Sequence, residues 1–128
     1  MKLQSDLISV QSISGYGPDW ISVGSEKIYS SVVIGSGGER FHWACNSFEE
    51  LNTEHFSQLA ALKTELIIFG SGTRIRFPHG SWVQPLIEQQ IGLETMDTQA
   101  ACRTYNILAG EGRRVAVALL LETSPEKL

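Results

Sequence analysis

ELIIFGSGTRIRFPHG, residues 65–80, is the stretch of sequence that decides the fold. It contains Leu66-Ile67-Ile68-Phe69, four apolar residues without a polar break. Such a run is typical of a strand that is covered on both faces, as strands of parallel sheets are. We therefore predict a buried parallel strand at 66–69, whose carboxyl end opens into the loop Gly70-Ser71-Gly72.

The loop after this strand is a candidate binding site. Its residues alternate in character, in the order Thr73, Arg74, Ile75, Arg76 and Phe77. A short extended segment would place the apolar side chains on one side and both guanidinium groups on the other. Because loop amides and arginines both bind anions, an anion or carboxylate site at this end of the sheet is one hypothesis. The alternative is a strand exit that needs two residues without a Cβ, since the loop matches neither nucleotide-binding glycine pattern.

The rest of the second half alternates helices and strands. Apolar residues at helical spacing predict helices from Asn52-Thr53 to Lys63, over about 82–90, and from Asp97 or Thr98 to about 108. Pro85 places the start of regular helix in the second of these near 83 or 84. A short strand is predicted at 93–96, and the apolar run that follows Arg114 predicts a last buried strand at 114–121. Right-handed crossovers would make these strands parallel to 66–69 in one small sheet.

The first 45 residues have the pattern of short strands and tight turns. Apolar segments begin at Ile8 and Val10 and are separated by turn residues such as Gly17-Pro18-Asp19. This spacing favours an antiparallel meander that packs over or beside the parallel sheet. With 128 residues and no low-complexity linker, the chain is predicted to be a single domain, 1–128, that ends in a loose polar tail at about 123–128.

The third predicted helix has an unusually wide apolar arc. Ala101, Cys102 and Tyr105 share one side, and small or apolar residues extend past half the circumference. Such a helix is covered on more than one side, by both sheets or by one sheet and a partner chain. Its polar stripe includes Arg103 and Asn106, which could orient a ligand. Alternatively, Arg103 braces the helix to a loop carbonyl or to Glu94.

Composition and charge exclude several classes of protein. The chain is 42% hydrophobic and 19% charged, which is typical of a globular protein, and its net charge of −4 argues against nucleic-acid binding. It has neither a secretory signal nor an apolar run long enough to insert in a membrane, so the cytoplasm is the expected compartment. Cys45 and Cys102 are far apart in sequence and are predicted to be buried, reduced thiols.

The sequence gives little support for catalysis or metal binding. Ser71, His79 and Asp97 could be drawn as a triad, but no nucleophile elbow surrounds Ser71. The three histidines are scattered and form no metal-ligand pattern with the cysteines. No cofactor and no metal are therefore expected.

Two runs resemble a known protein family. The pattern "M-T-A-A-R-T-Y-N-L" is carried by Met96, Thr98, Ala100, Ala101, Arg103, Thr104, Tyr105, Asn106 and Leu108, and a second matching run covers 111–119. The family's Gly-Gly loop after a buried strand resembles Gly70-Ser71-Gly72, with Phe77-Pro78 behind it. This is a domain-of-unknown-function family of bacteria and archaea that includes the mitochondrial NADH dehydrogenase (complex I) assembly factor three. The resemblance covers about 30–121.

The resemblance implies a fold and a kind of role. Family members have an α/β fold in three layers, an antiparallel N-terminal sheet packed on a small parallel sheet with helices on the other side. No catalytic residue is transferred, because no activity is established for the family. The implied role lies beside other proteins, in the assembly of respiratory membrane complexes. A start that is neither Arg-rich nor amphipathic points to a bacterial member rather than a mitochondrial one.

Three hypotheses for function follow. The first is a non-enzymatic protein-binding module that assists assembly of a respiratory membrane complex. The second is a small-molecule or anion-binding domain, an enzyme included, with its site at the 70–76 loop and the helix start near Asp97. The third is a homo-oligomer that joins through Ala100-Ala101-Cys102. The residues predicted to bind a ligand or partner are Gly70, Ser71, Gly72, Thr73, Arg74, Met96, Thr98, Arg103 and Asn106.

Overall fold

The structure, a computed structural model, describes residues 11–122. Its strands are β1 Gly15–Tyr16, β2 Ile21–Val23, β3 Glu26–Ile28, β4 Val32–Gly35, β5 Arg40–His42, β6 Leu66–Gly70, β7 Gly92–Met96 and β8 Val115–Leu119. Its helices are α1 Thr53–Ala60, α2 Gln84–Glu88 and α3 Thr98–Gly110, with one 3-10 turn at Phe48–Glu50. The predicted tail at 123–128 and the apolar start at Ile8 and Val10 lie outside the described residues.

The α/β fold class is confirmed. Strands β6, β7 and β8 are parallel, with β6 between the other two, and Gly70 pairs with both Met96 and Leu119. Strands β1, β2 and β3 form a separate antiparallel sheet. The carboxyl ends of the three parallel strands therefore meet at one edge, where the predicted loop begins.

The larger sheet has two more strands than the sequence predicted. β4 pairs antiparallel with β8, and β5 pairs antiparallel with β4, so the sheet is mixed and has the order β5-β4-β8-β6-β7. The reason lies in the apolar run Val32-Val33-Ile34, which is buried in full. Such a run needs cover on both faces, which a small outer sheet does not provide. Among the described residues, the separate sheet is confined to 15–28.

The two faces of the large sheet carry different elements. On one face, Phe56 and Leu59 of α1 and Leu86 of α2 pack against Ile67 and Phe69. On the other face, α3 packs beside the three-stranded sheet, and one apolar cluster contains Ala101, Cys102, Tyr105, Ile21, Ile68 and Val117. Helices α1 and α2 thus lie opposite the small sheet as predicted, whereas α3 shares its face.

Local chemistry sets where the helices begin and end. Asn52 caps α1 by accepting from the Glu54 amide at 2.9 Å, and His55 Nδ1 accepts from the Asn52 amide at 3.2 Å. The prediction that α1 reaches Lys63 is three residues too long, because Lys63 has a φ of 57° and cannot continue a right-handed helix. Within residues 11–122, every helix falls short of the length and apolar character that crossing a membrane requires.

Candidate functional site

The two glycines of the loop after β6 are explained by close packing and by backbone conformation. A Cβ on Gly70 would lie 3.0 Å from both Ala101 Cβ and Thr98 Cα. Gly72 has a φ of +106°, and a Cβ there would lie 2.6 Å from Arg76 Nη2. Strand β6 can therefore approach α3, and the chain can turn, only where side chains are missing.

Hydrogen bonds tie this loop to the end of β7 and the start of α3. The Ser71 amide donates to Met96 O at 2.9 Å, and the Gly72 amide donates to Thr98 Oγ1 at 2.8 Å. The Thr98 amide returns a bond to Gly72 O at 2.8 Å, and its hydroxyl donates to Leu120 O at 2.9 Å. Both loop amides are satisfied within the protein and are not free to hold an anion in this arrangement.

A cleft of about 290 Å³ lies beside these bonds. It is lined by Gly17, Pro18, Gly72, Thr73, Asp97, Thr98, Gln99, Leu120 and Glu122. The charged groups on its walls are carboxylates, which favour a cationic or hydrogen-bond-donating guest over an anion. Of the nine predicted binding residues, Gly72, Thr73 and Thr98 line the cleft, and backbone pairing places Gly70, Ser71 and Met96 beside them. The other three, Arg74, Arg103 and Asn106, are not on the cleft walls.

Arg103 and Asn106 contact the N-terminal part of the chain instead. Arg103 donates to Tyr16 Oη at 3.0 Å, and this bond raises the pKa of its exposed guanidinium. Asn106 binds both backbone groups of Ile13: its Oδ1 accepts from the Ile13 amide at 2.9 Å, and its Nδ2 donates to the Ile13 carbonyl at 2.8 Å. The bracing that was predicted for Arg103 has Tyr16 as its partner, rather than Glu94 or a loop carbonyl. A ligand-binding role for these residues stays a prediction.

A second arginine network fixes the base of the loop. Arg76 donates to Ser71 O through Nε at 3.2 Å and through Nη2 at 2.7 Å, and Nη2 also reaches Glu122 Oε1 at 2.6 Å. Its guanidinium lies over the Phe48 ring, 4.8 Å from the centroid. Glu122 Oε2 accepts from the Phe48 amide at 2.8 Å. These four residues, Ser71, Arg76, Glu122 and Phe48, are called the clamp below.

Above the clamp, the loop exposes apolar side chains. Phe77 is 70% exposed and Ile75 is 51% exposed, whereas Arg76 is turned into the clamp. Arg74 is exposed, and its guanidinium has no hydrogen-bond or ion-pair partner within residues 11–122. Glu122 and Phe48 therefore bind only one of the two arginines that were expected on one side of the segment. We call Arg74, Ile75 and Phe77 the exposed tip.

Sequence reasoning missed Glu122 and Phe48. Glu122 lies just beyond β8, and β8 ends at the same edge as β6. The rule that parallel strands end together could have paired this carboxylate with an arginine of the loop. Phe48 gave no such signal, since the 3-10 turn that places it has no distinctive pattern.

The groups that could act as nucleophiles are held in structural roles. The Ser71 hydroxyl donates to Arg74 O and accepts from the Arg76 amide, both at 2.8 Å. The His79 ring packs against Trp82, with 4.3 Å between the ring centroids. Burial raises the pKa of Cys45 to about 11 and that of Cys102 to about 12, so both stay protonated thiols at neutral pH. Within residues 11–122, no three His, Cys, Asp or Glu side chains gather as metal ligands would.

Comparison with known proteins identifies relatives over most of the chain. An assembly factor of the rat, NADH dehydrogenase [ubiquinone] 1 alpha subcomplex assembly factor 3, is 31% identical over 120 residues, which are 92% of this chain and 64% of that protein. An uncharacterized protein of Rhodobacter capsulatus is 32% identical over 84% of this chain and 82% of its own length. The chain thus spans less than two-thirds of the rat relative.

The fold has a relative of known structure, and a family model covers nearly all of the described residues. The crystal structure of a protein from Bordetella parapertussis matches with a TM-score of 0.83 and 34% identity, over 88% of this chain and 97% of that one. The model of the family described as protein of unknown function (DUF498/DUF598) matches residues 13–120. This match confirms the resemblance inferred from the sequence: the chain belongs to the DUF498/DUF598 family.

Proposed function

We propose that the protein is a non-enzymatic binding module that acts through a protein partner in the assembly of a respiratory membrane complex. Relatives that align over most of this chain are named as complex I assembly factors, which supports the process. We place the activity in a bacterial cytoplasm, at the surface of the complex rather than within the membrane.

The exposed tip is the observation that carries this proposal. Phe77 and Ile75 are large apolar side chains that gain free energy when a partner covers them. Exposed single apolar residues are common on protein surfaces, but these two are close in sequence and stand on a loop that the clamp already fixes. Binding to an ordered loop loses less conformational entropy than binding to a loose one.

The environment of the reactive groups also supports a binding role over catalysis. Ser71 has backbone partners on both sides of its hydroxyl, and the buried thiols are not ionised at neutral pH. A nucleophile needs an adjacent base and an open approach. The loop is therefore better suited to binding a partner than to catalysing a reaction.

The experiment is affinity capture from cells and membranes of the native host. An Ile75→Ser/Phe77→Ser variant removes both apolar side chains of the tip. A Tyr29→Ser/Ile107→Ser variant is the matched control, since Tyr29 is 65% and Ile107 is 61% exposed and neither residue belongs to the loop. We expect the wild type and the control to retain a specific partner that the tip variant loses. Equal capture by all three proteins, or no specific partner with the wild type, would contradict the proposal.

A second candidate function, small-molecule binding, rests on the cleft beside Asp97 and Glu122. Its volume of about 290 Å³ suits a small guest, and its Asp97 carboxylate, which has no ion pair within residues 11–122, favours a cation. Calorimetric titration with small primary amines and with inorganic phosphate tests this candidate. We expect heat with an amine and none with phosphate, and the absence of heat in both titrations would remove it.

A further inference from the structure

We infer that the exposed tip recognises a protein segment that combines carboxylate and apolar side chains. This inference rests on the proposed function and assigns the chemistry of the partner. The surface is defined by the exposed guanidinium of Arg74 next to the exposed side chains of Ile75 and Phe77.

Charge around the tip is the first argument. Residues 71–81 contain two arginines and no Asp or Glu, in a chain whose net charge is −4. Glu122 neutralises Arg76 through a contact of 2.6 Å, whereas Arg74 has no such partner within the described part of the chain. The tip is thus a positively charged site on a protein whose net charge is negative. It attracts an acidic partner, whereas the net charge of the protein repels one.

The chemistry of arginine is the second argument. A guanidinium offers two parallel N–H groups that match both oxygens of a carboxylate. Arg74 directly precedes Ile75 and lies three positions before Phe77, so we expect a segment that covers both apolar side chains to come within reach of the guanidinium. Burial of the apolar groups would exclude water from this ion pair and strengthen it.

The same charges disfavour an anionic membrane as the occupant. Attraction to anionic lipids grows with the number of basic residues at the surface, and this tip offers one unpaired arginine. The net charge of −4 would in addition repel the lipid surface. A protein segment requires only one carboxylate in the right place.

The test uses the full chain, labelled with 15N, and two capped peptides of equal length. Both peptides carry the same Leu and Phe residues, with Glu at every polar position in one and Lys in the other. We expect the Glu peptide to shift the amide resonances of 73–77 and 79 and the Lys peptide to leave them unchanged. Arg74→Glu should weaken binding of the Glu peptide by about tenfold. The Arg74 side chain makes no hydrogen bond or ion pair within residues 11–122 that this substitution would remove.

Lys63→Glu is the matched control, because it changes net charge by the same amount at an exposed position before the amino end of β6, whereas the tip follows the carboxyl end. We expect it to bind the Glu peptide as the wild type does. Equal weakening by both variants, equal shifts with the Lys peptide, or shifts confined to other residues would overturn the inference. Binding to phosphatidylserine vesicles without binding to the Glu peptide would assign the tip to a membrane. Shifts that depend on protein concentration alone would assign it to a second copy.

The two proposals can fail separately. If the tip variant loses its cellular partner while Arg74→Glu keeps it, the protein-binding function stands and the acidic partner chemistry does not. If no cellular partner depends on the tip at all, the proposed function fails first.

Discussion

Gly72 shows at the scale of one residue how the sequence fixes the loop. Its φ of +106° disfavours any side chain, and the space where a Cβ would stand holds the Arg76 guanidinium. The same residue donates its amide to Thr98 Oγ1. The backbone conformation here and the Arg76–Glu122 pair of the clamp therefore depend on the absence of one methyl group.

Gly72→Ala should therefore destabilise the protein. We expect the free energy of unfolding to fall by about 1–3 kcal/mol, from the strained φ and the displaced Arg76. Gly80→Ala is the control in the same segment, since a Cβ there meets nothing within 4 Å. Its effect should stay within about 0.5 kcal/mol. Urea unfolding of both variants measures the difference, and equal effects would contradict this role of Gly72.

Residue patterns predicted the strand exit but not the direction of each polar side chain. A strand exit that needs glycine at 70 and 72 was one of two hypotheses for the loop. The close packing around both glycines gives the physical reason for that hypothesis. Arg103 was placed with Thr98 because both belong to one motif. Five residues of helix turn a side chain by about 140° from its starting direction, which takes Arg103 away from the loop and toward Tyr16.

At the scale of elements, the clamp joins the end of β8 to the loop after β6. Glu122 accepts from Arg76 with one oxygen and from the Phe48 amide with the other. Its side chain is 27% exposed and that of Arg76 is 17% exposed, so water screens this pair less than a surface pair. We therefore expect the clamp to order the tip before a partner binds.

Glu122→Gln should loosen the loop by removing the charge from the clamp. We expect faster hydrogen exchange at the Arg76 amide, which donates to Ser71 Oγ at 2.8 Å, and a loss of about 0.5–1.5 kcal/mol in unfolding free energy. Glu26→Gln is the control, because its pair with Arg40 is more exposed, at 60% and 34%. That change should cost under about 0.5 kcal/mol. Equal exchange rates at Arg76 in both variants would show that the clamp does not order the loop.

Buried strands could be predicted where the sequence contains a continuous apolar run. Residues 66–69 and 114–121 gave such runs, and both are central strands of the large sheet. The run 32–34 carries the same signal but was grouped with its short neighbours as part of the outer sheet. Pairing between strands far apart in sequence, such as β4 with β8, depends on tertiary packing that a local pattern does not record.

At the scale of the whole molecule, one edge of the large sheet concentrates the features of interest. The carboxyl ends of three parallel strands, the start of α3, the cleft and the clamp all lie there. The sequence could place the loop at this edge, since topology alone brings strand ends together. It could not predict which side chains stay exposed, because the exposure of each side chain depends on how the whole chain packs.

The central claim is that the partner covers the exposed tip. The most direct measurement is photo-crosslinking in the native host, with a photoreactive phenylalanine analogue at position 77 and, as a control, at position 29, where Tyr29 is similarly exposed. The account predicts a specific protein adduct from position 77, reduced by Arg74→Glu, and none from position 29. An adduct of equal yield at both positions, or at position 29 alone, would contradict it.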